Sequence, residues 1–218
     1  MTFTFYADTA DDESVVAALD EGLVSGVTTN PEILQRQGLH LADLERLVPR
    51  WVQRGAQRVF LQTWGRTTDA MLHNAQDLLA IDARVAVKVP ATSAGAPVVA
   101  ELAQQGVDVL VTAVYTPAQV VLAASLGAHS VAPYLGRMDD IGRDGAAEIG
   151  LMAELLADST TKVLAASLRT PERIVALAQR GVASFTARPA VIREMFTDSP
   201  SSAAADAFER AMQGVTGA

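Results

Sequence analysis

Short apolar runs alternate with longer helical patterns from one end of the chain to the other, and no other feature limits the fold as much. The runs lie at 3–8, 26–30, 58–63, 85–90, 108–114, 130–135, 162–167 and 184–187. Helical stretches are expected at 12–23, 41–54, 67–79, 93–105, from Thr116-Pro117 onward, up to 156, from Thr170-Pro171-Glu172 onward, and at 189–196. Their openings carry the chemistry of a helix start: a side-chain oxygen that can accept an orphan N–H, a proline in the first turn, and acids facing the positive end of the dipole. A Gly- and Asp-containing loop is expected at 136–145, a second loop at 198–202, and a last helix at 203–212.

Repeated strand–helix units imply parallel strands joined by right-handed crossovers. Eight of them imply a closed barrel, a fold that needs at least about 200 residues. The expected fold class is therefore α/β, a single (β/α)8 TIM barrel over 1–218. An open doubly wound sheet calls for a glycine-rich phosphate loop after its first strand, and Asp8-Thr9-Ala10-Asp11 is not one.

Composition narrows the function classes. The net charge is −8, which argues against nucleic acid as a partner. With no cysteine, thiolate chemistry, disulfides and Cys-ligated metals are excluded. The histidines His40, His73 and His129 are scattered without metal-binding spacing, so no metal or cofactor is expected. The first residues lack a basic region followed by an apolar run, and no stretch is long enough to span a bilayer. No signal peptide and no membrane association are expected, and a cytoplasmic location is.

Val85-Ala86-Val87-Lys88-Val89-Pro90 reads as a strand buried on both faces, ended by a proline that removes a ladder donor. A lysine there loses hydration, which disfavours its charged form. A neutral amine attacks carbonyls and opens Schiff-base chemistry. The alternative is a lysine that snorkels past the strand end or pairs with a carboxylate. In a barrel of this kind chemistry sits at the C-terminal strand ends. Reactive residues recur there: Asp8, then Thr28, Thr29 and Asn30, then Gln62, Lys88, Thr112, Tyr134 and Ser167, with Arg137 and Arg169 just beyond. The two arginines could cradle an anion, or simply pair with Asp139, Asp140 or Glu172.

The segments Gly26-Val27-Thr28-Thr29-Asn30-Pro31, Val87-Lys88-Val89-Pro90, Thr112-Ala113-Val114-Tyr115, Ala132-Pro133-Tyr134 with Arg137, and Val163-Leu164-Ala165-Ala166-Ser167 together resemble the transaldolase family. Within it the chain is most similar to the small fructose-6-phosphate aldolases. The resemblance implies that Lys88 attacks the keto group of a ketose and that the C3–C4 bond then breaks. Asp8 would handle protons on the donor hydroxyls, and Thr28 and Asn30 would bind donor oxygens. Thr112 and Gln62 would place an ordered water, and Tyr134 would complete the acid–base set. Arg137, Ser167 and Arg169 would bind the phosphate of a sugar phosphate. Glutamine at 62 and tyrosine at 134 resemble the aldolases, where true transaldolases carry glutamate and phenylalanine.

The loop Gly136-Arg137-Met138-Asp139-Asp140 looks more like the transaldolase version, and Thr63-Trp64-Gly65-Arg66 is unusual for both. Trp64 is a candidate for lining the acceptor side, or packs under its loop, and Arg66 is a candidate for a second anion. The expected activity is a Schiff-base aldolase acting on a sugar phosphate. The alternatives are a transaldolase and an inactive sugar-phosphate-binding barrel. The resemblance also implies a homo-oligomer, a pentamer or decamer, with the helix at 203–212 packed on a neighbouring subunit.

Overall fold

In the computed structural model, residues 2–216 are described, and their strands close into one parallel barrel. The strands are β1 (Thr4–Asp8), β2 (Gly26–Thr28), β3 (Arg58–Gln62), β4 (Val85–Pro90), β5 (Val109–Val114), β6 (Ser130–Pro133), β7 (Lys162–Leu168) and β8 (Ser184–Ala187). They pair in chain order, and β8 returns to β1 through Thr4↔Ser184 to Ala7↔Ala187.

Each strand is sorted by its period of two. On β4, Val85, Val87 and Val89 join the large cluster between barrel and helices, while Ala86 joins a smaller inner one. The inner cluster holds Phe60, Ala86, Leu110, Ala132, Leu164 and Ala166, with Tyr6 and Tyr134 against it. Tyr6 meets the Phe60 ring edge-on at 5.3 Å. These side chains plug the barrel. One period further along β1, β3, β4, β5 and β6 stand Asp8, Gln62, Lys88, Thr112 and Tyr134. The alternation that fills the core thus delivers a polar layer on top of it.

The outer ring consists of α1 (Asp12–Asp20), α2 (Pro31–Arg36), α3 (Leu41–Gln53), α4 (Thr68–Leu79), α5 (Gly95–Gln104), α6 (Pro117–Ser125), α7 (Leu135–Asp140), α8 (Gly145–Leu155), α9 (Pro171–Ala178) and α10 (Pro189–Glu194). Its anchor is Trp51, fully buried, whose indole N–H donates to Asp12 at 2.9 Å. Burying an indole and satisfying its one donor offsets the lost backbone bond at Pro49, inside the same helix.

Two expected loops are helical. Residues 135–140 form α7, because Leu135 and Met138 bury one face against the barrel top. Residues 199–202 are the first turn of α11 (Ser199–Thr216), not a linker. Asp198 accepts from the Ser201 N–H at 3.2 Å, and a proline near a helix start removes no intrahelical bond. Among the described residues no helix is long and apolar enough to cross a membrane.

Candidate active site

Lys88 is 4% exposed, and its ammonium donates to the Thr29 carbonyl at 2.8 Å. Burial lowers its pKa from the ordinary 10.5 to about 8, against the pull of the Asp8 carboxylate, which favours the charged form. The lysine therefore does not snorkel to water: it is held inside, where its charged form is disfavoured and easily loses its proton.

Asp8 ends β1 opposite Thr28. Thr28 donates its hydroxyl to the Asp8 carboxylate at 2.9 Å and lies 2.6 Å from the hydroxyl of Thr186 on β8. Across the barrel the Thr112 hydroxyl and the Tyr134 phenol are 2.8 Å apart. Burial raises the Tyr134 pKa, while the Thr112 hydrogen bond and the Arg137 charge oppose it. The Asp8 charge is felt at both Lys88 and Tyr134, so these groups share one electrostatic space. Gln62 is the register partner of Lys88 and is half-buried.

Two non-glycine residues near this layer have left-handed backbone, Ala113 at φ +56° and Ser167 at φ +60°. Both sit where strand register slips, between Val111 and Val114 on β5 and between Ala165 and Leu168 on β7. Such bulges re-aim side chains and concentrate at working sites. Ser167 then lies against Gly136, where an added Cβ would stand 2.6 Å from the Ser167 carbonyl oxygen and 2.9 Å from the Arg169 guanidinium. Only glycine allows α7 to start that close to β7.

The rim is charged. Arg137 stacks over the Tyr134 ring at 5.2 Å and donates to Glu32 at 2.7 Å. Its partner is thus Glu32 on α2, and not Asp139 or Asp140 on its own helix. Arg169 does pair with Asp140, through bonds of 2.7 and 2.6 Å. Asp139 is taken instead by Arg173 at 2.6 Å. Asn30 spends its side-chain oxygen capping α2, accepting the Ile33 N–H at 3.0 Å.

Trp64 is 36% exposed on the β3–α4 loop, whose path is fixed by Asn74 donating to the Trp64 carbonyl at 2.7 Å. Arg66 is exposed on the same loop. Of the histidines, His40 caps α3, while His73 and His129 are exposed beside Asp77 and Asp108. No group of three metal-ligating side chains occurs among the described residues.

The structure therefore gathers Asp8, Thr28, Gln62, Lys88, Thr112 and Tyr134 in one layer and ranges Arg137, Ser167 and Arg169 above it on one side. Thr186, Glu32 and Tyr115 were not expected there. Thr186 was legible as the inward polar position nearer the C-terminal end of Ser184-Phe185-Thr186-Ala187. Tyr115 meets the Tyr134 ring edge-on at 5.9 Å. A surface groove of about 950 Å3 lies elsewhere, between α8 and the opening residues of β7 and β8. Its Lys162 and Arg180 already donate to the Ser159 and Ala176 carbonyls.

The sequence matches the transaldolase/fructose-6-phosphate aldolase family over residues 5–216. The chain belongs to that family. It is 38% identical over 198 residues to a probable transaldolase of Rhodospirillum centenum, covering 88% of this chain and 83% of that one. A probable transaldolase of Exiguobacterium sibiricum is 33% identical, with 90% and 91% covered. Among solved structures, a thiamine phosphate pyrophosphorylase of Pyrococcus furiosus superposes with a TM-score of 0.64 over 87% of both chains. At 14% identity that likeness shows the barrel and nothing of the chemistry. As a member of this family the protein is an enzyme of the aldolase and transaldolase type.

Proposed function

We propose that the protein is a Schiff-base aldolase that cleaves a ketose phosphate such as fructose 6-phosphate into dihydroxyacetone and glyceraldehyde 3-phosphate. The observation that carries this reading is Lys88, buried at the barrel mouth with its pKa brought down to about 8.

The neutral amine adds to the ketose C2 carbonyl, and loss of water gives an iminium. Asp8 takes the proton of the C4 hydroxyl as the C3–C4 bond breaks. The bonding pair moves through C3 to the iminium nitrogen, leaving an enamine, and the aldehyde departs. Tyr134, with Thr112 and a water held by Gln62, returns a proton to C3. Hydrolysis then frees dihydroxyacetone and the lysine. Each transfer has a group within the same layer to make it. Thr28 and Asn30 hold donor oxygens, Asn30 through the part of its amide not spent on the α2 cap. Arg137, Ser167 and Arg169 receive the phosphate, and Trp64 flanks the acceptor.

The second reading, a transaldolase, keeps the same steps to the enamine and then adds a second aldehyde in place of the proton. The names of the relatives favour it. Tyr134 favours the first reading, since a phenol beside the enamine supplies the proton that ends the cycle. An inactive barrel is set aside, because lysine, carboxylate and phenol all remain. The resemblance also supports a ring-shaped homo-oligomer in which α11 packs on a neighbour, and α11 offers the exposed Phe208 and Val215 for that contact. Fructose 6-phosphate turnover with and without an acceptor aldehyde tests the aldolase reading.

A further inference from the structure

We infer that Thr186 is a positioning residue that holds the Asp8 carboxylate aimed through a one-way chain of hydroxyl hydrogens. The inference rests on the proton-accepting role proposed above for Asp8.

Counting hydrogens sets the direction of the chain. Thr28 has a single hydroxyl hydrogen and gives it to the Asp8 carboxylate at 2.9 Å. The 2.6 Å contact between Thr28 and Thr186 must then be filled by the Thr186 hydrogen. Both hydroxyls point toward the carboxylate, and hydrogen bonds in such a row polarise one another. Thr28 and Thr186 are 0% and 2% exposed, so neither hydroxyl has bulk water as an easy substitute.

Protonating Asp8 on that oxygen reverses the row. The acid hydrogen then goes to Thr28, the Thr28 hydrogen to Thr186, and the Thr186 hydrogen to the Tyr6 carbonyl. That last contact is 3.4 Å, at the outer edge of a hydrogen bond. The row as drawn ends on a strong acceptor and the reversed one on a poor one. The chain therefore fixes this carboxylate oxygen as the acceptor from Thr28 and leaves the C4 hydroxyl proton to the other oxygen. The ionisable groups facing Asp8 from other elements are Lys88 on β4 and Tyr134 after β6. Beside β1, β2 and β8 contribute these hydroxyls, and Arg188, just past β8, is exposed.

Thr186→Val keeps the shape and removes the donor. The turnover number for ketose cleavage should fall by about fivefold or more, with KM little changed. Borohydride trapping of dihydroxyacetone on Lys88 should be unchanged, because that step does not use Asp8. Thr186→Ser should restore the rate. Unchanged turnover in the valine variant, a KM raised as much as turnover falls, or a serine variant as impaired as valine overturns the inference. If Thr186→Val does not fold, Thr186→Ala against Thr186→Ser reads the same contrast. A wild-type protein that neither traps dihydroxyacetone nor cleaves ketoses refutes the proposed function instead. The hydroxyl chain is then read directly by the carboxyl carbon-13 resonance of Asp8 at neutral pH, moved in the valine variant and not in the serine one. No movement there also overturns the inference.

Discussion

Lys88 donates to the backbone carbonyl of Thr29 at 2.8 Å, and Thr29 directly follows β2, the strand two places away in the barrel. A carbonyl accepts from an amine or an ammonium alike, so this bond aims the nitrogen without demanding its charge. The carboxylate that does favour the charge, Asp8, is outweighed by burial. This balance leaves a nucleophile fixed in direction and easily deprotonated.

Reduction with borohydride in the presence of dihydroxyacetone should add a three-carbon unit to Lys88, seen as one mass increment on the peptide that contains it. Lys88→Met should abolish the increment. An adduct that survives in the methionine variant places the Schiff base on another lysine.

The same burial costs stability. Folding lowers the Lys88 pKa from 10.5 to about 8, so between those values the unfolded chain binds more protons than the folded one. Stability from this group therefore rises with pH across that window, and below it the penalty is at its full size, about 3 kcal/mol. Lys88→Met should remove the penalty and raise the melting temperature at pH 7. The gain should shrink as pH approaches 10. A methionine variant no more stable than wild type at pH 7 contradicts the lowered pKa. Adduct formation, conversely, should accelerate as pH rises through about 8 and then level off.

Tyr134→Phe removes the phenol from its 2.8 Å contact with Thr112. Release of free dihydroxyacetone should fall by about a hundredfold, the usual scale for a positioned proton donor. Transfer to an added aldehyde should fall much less, since that route replaces the proton by a carbon. Equal losses in the two assays argue against Tyr134 as the proton source.

Arg137 is shared between the Tyr134 ring and Glu32. Arg137→Ala should raise KM for a phosphorylated ketose about tenfold or more, and for its unphosphorylated counterpart far less. Glu32→Gln should act the other way, lowering KM for the phosphorylated substrate by a few-fold, since exposed ion pairs are weak and screened. Both effects should fade as salt is added.

Much of this was legible in the sequence because the barrel repeats one rule. Side chains that alternate along a strand place Ala86 and Lys88 on the same side, and Pro90 stops the run, so the lysine's place follows from six residues, whereas its burial does not, because a lysine that snorkels past the strand end fits the same six. The same rule marks Asp8, Gln62, Thr112 and Tyr134. The charged rim was harder. Arg137 and Glu32 are 105 positions apart, and only closure of the barrel brings them together, whereas Asp139 and Asp140 lie close by in sequence and were the nearer guess. Gly136 read as a loop residue because glycine usually breaks helices, but here it lies in the first turn of one, at a contact too tight for any side chain. Ser199-Pro200-Ser201-Ser202 misled for a similar reason. Its turn chemistry is also helix-start chemistry once Asp198 supplies the cap. The left-handed backbone at Ala113 and Ser167 has no local signal, since neither residue type favours it.

Fructose 6-phosphate turnover, followed by the release of glyceraldehyde 3-phosphate with and without erythrose 4-phosphate, tests the aldolase reading most directly. Aldolase chemistry at Lys88 predicts sustained release with no acceptor present, and loss of that release in Lys88→Met. Release that stops after a single turnover and resumes only when erythrose 4-phosphate is added contradicts it, and makes the protein a transaldolase.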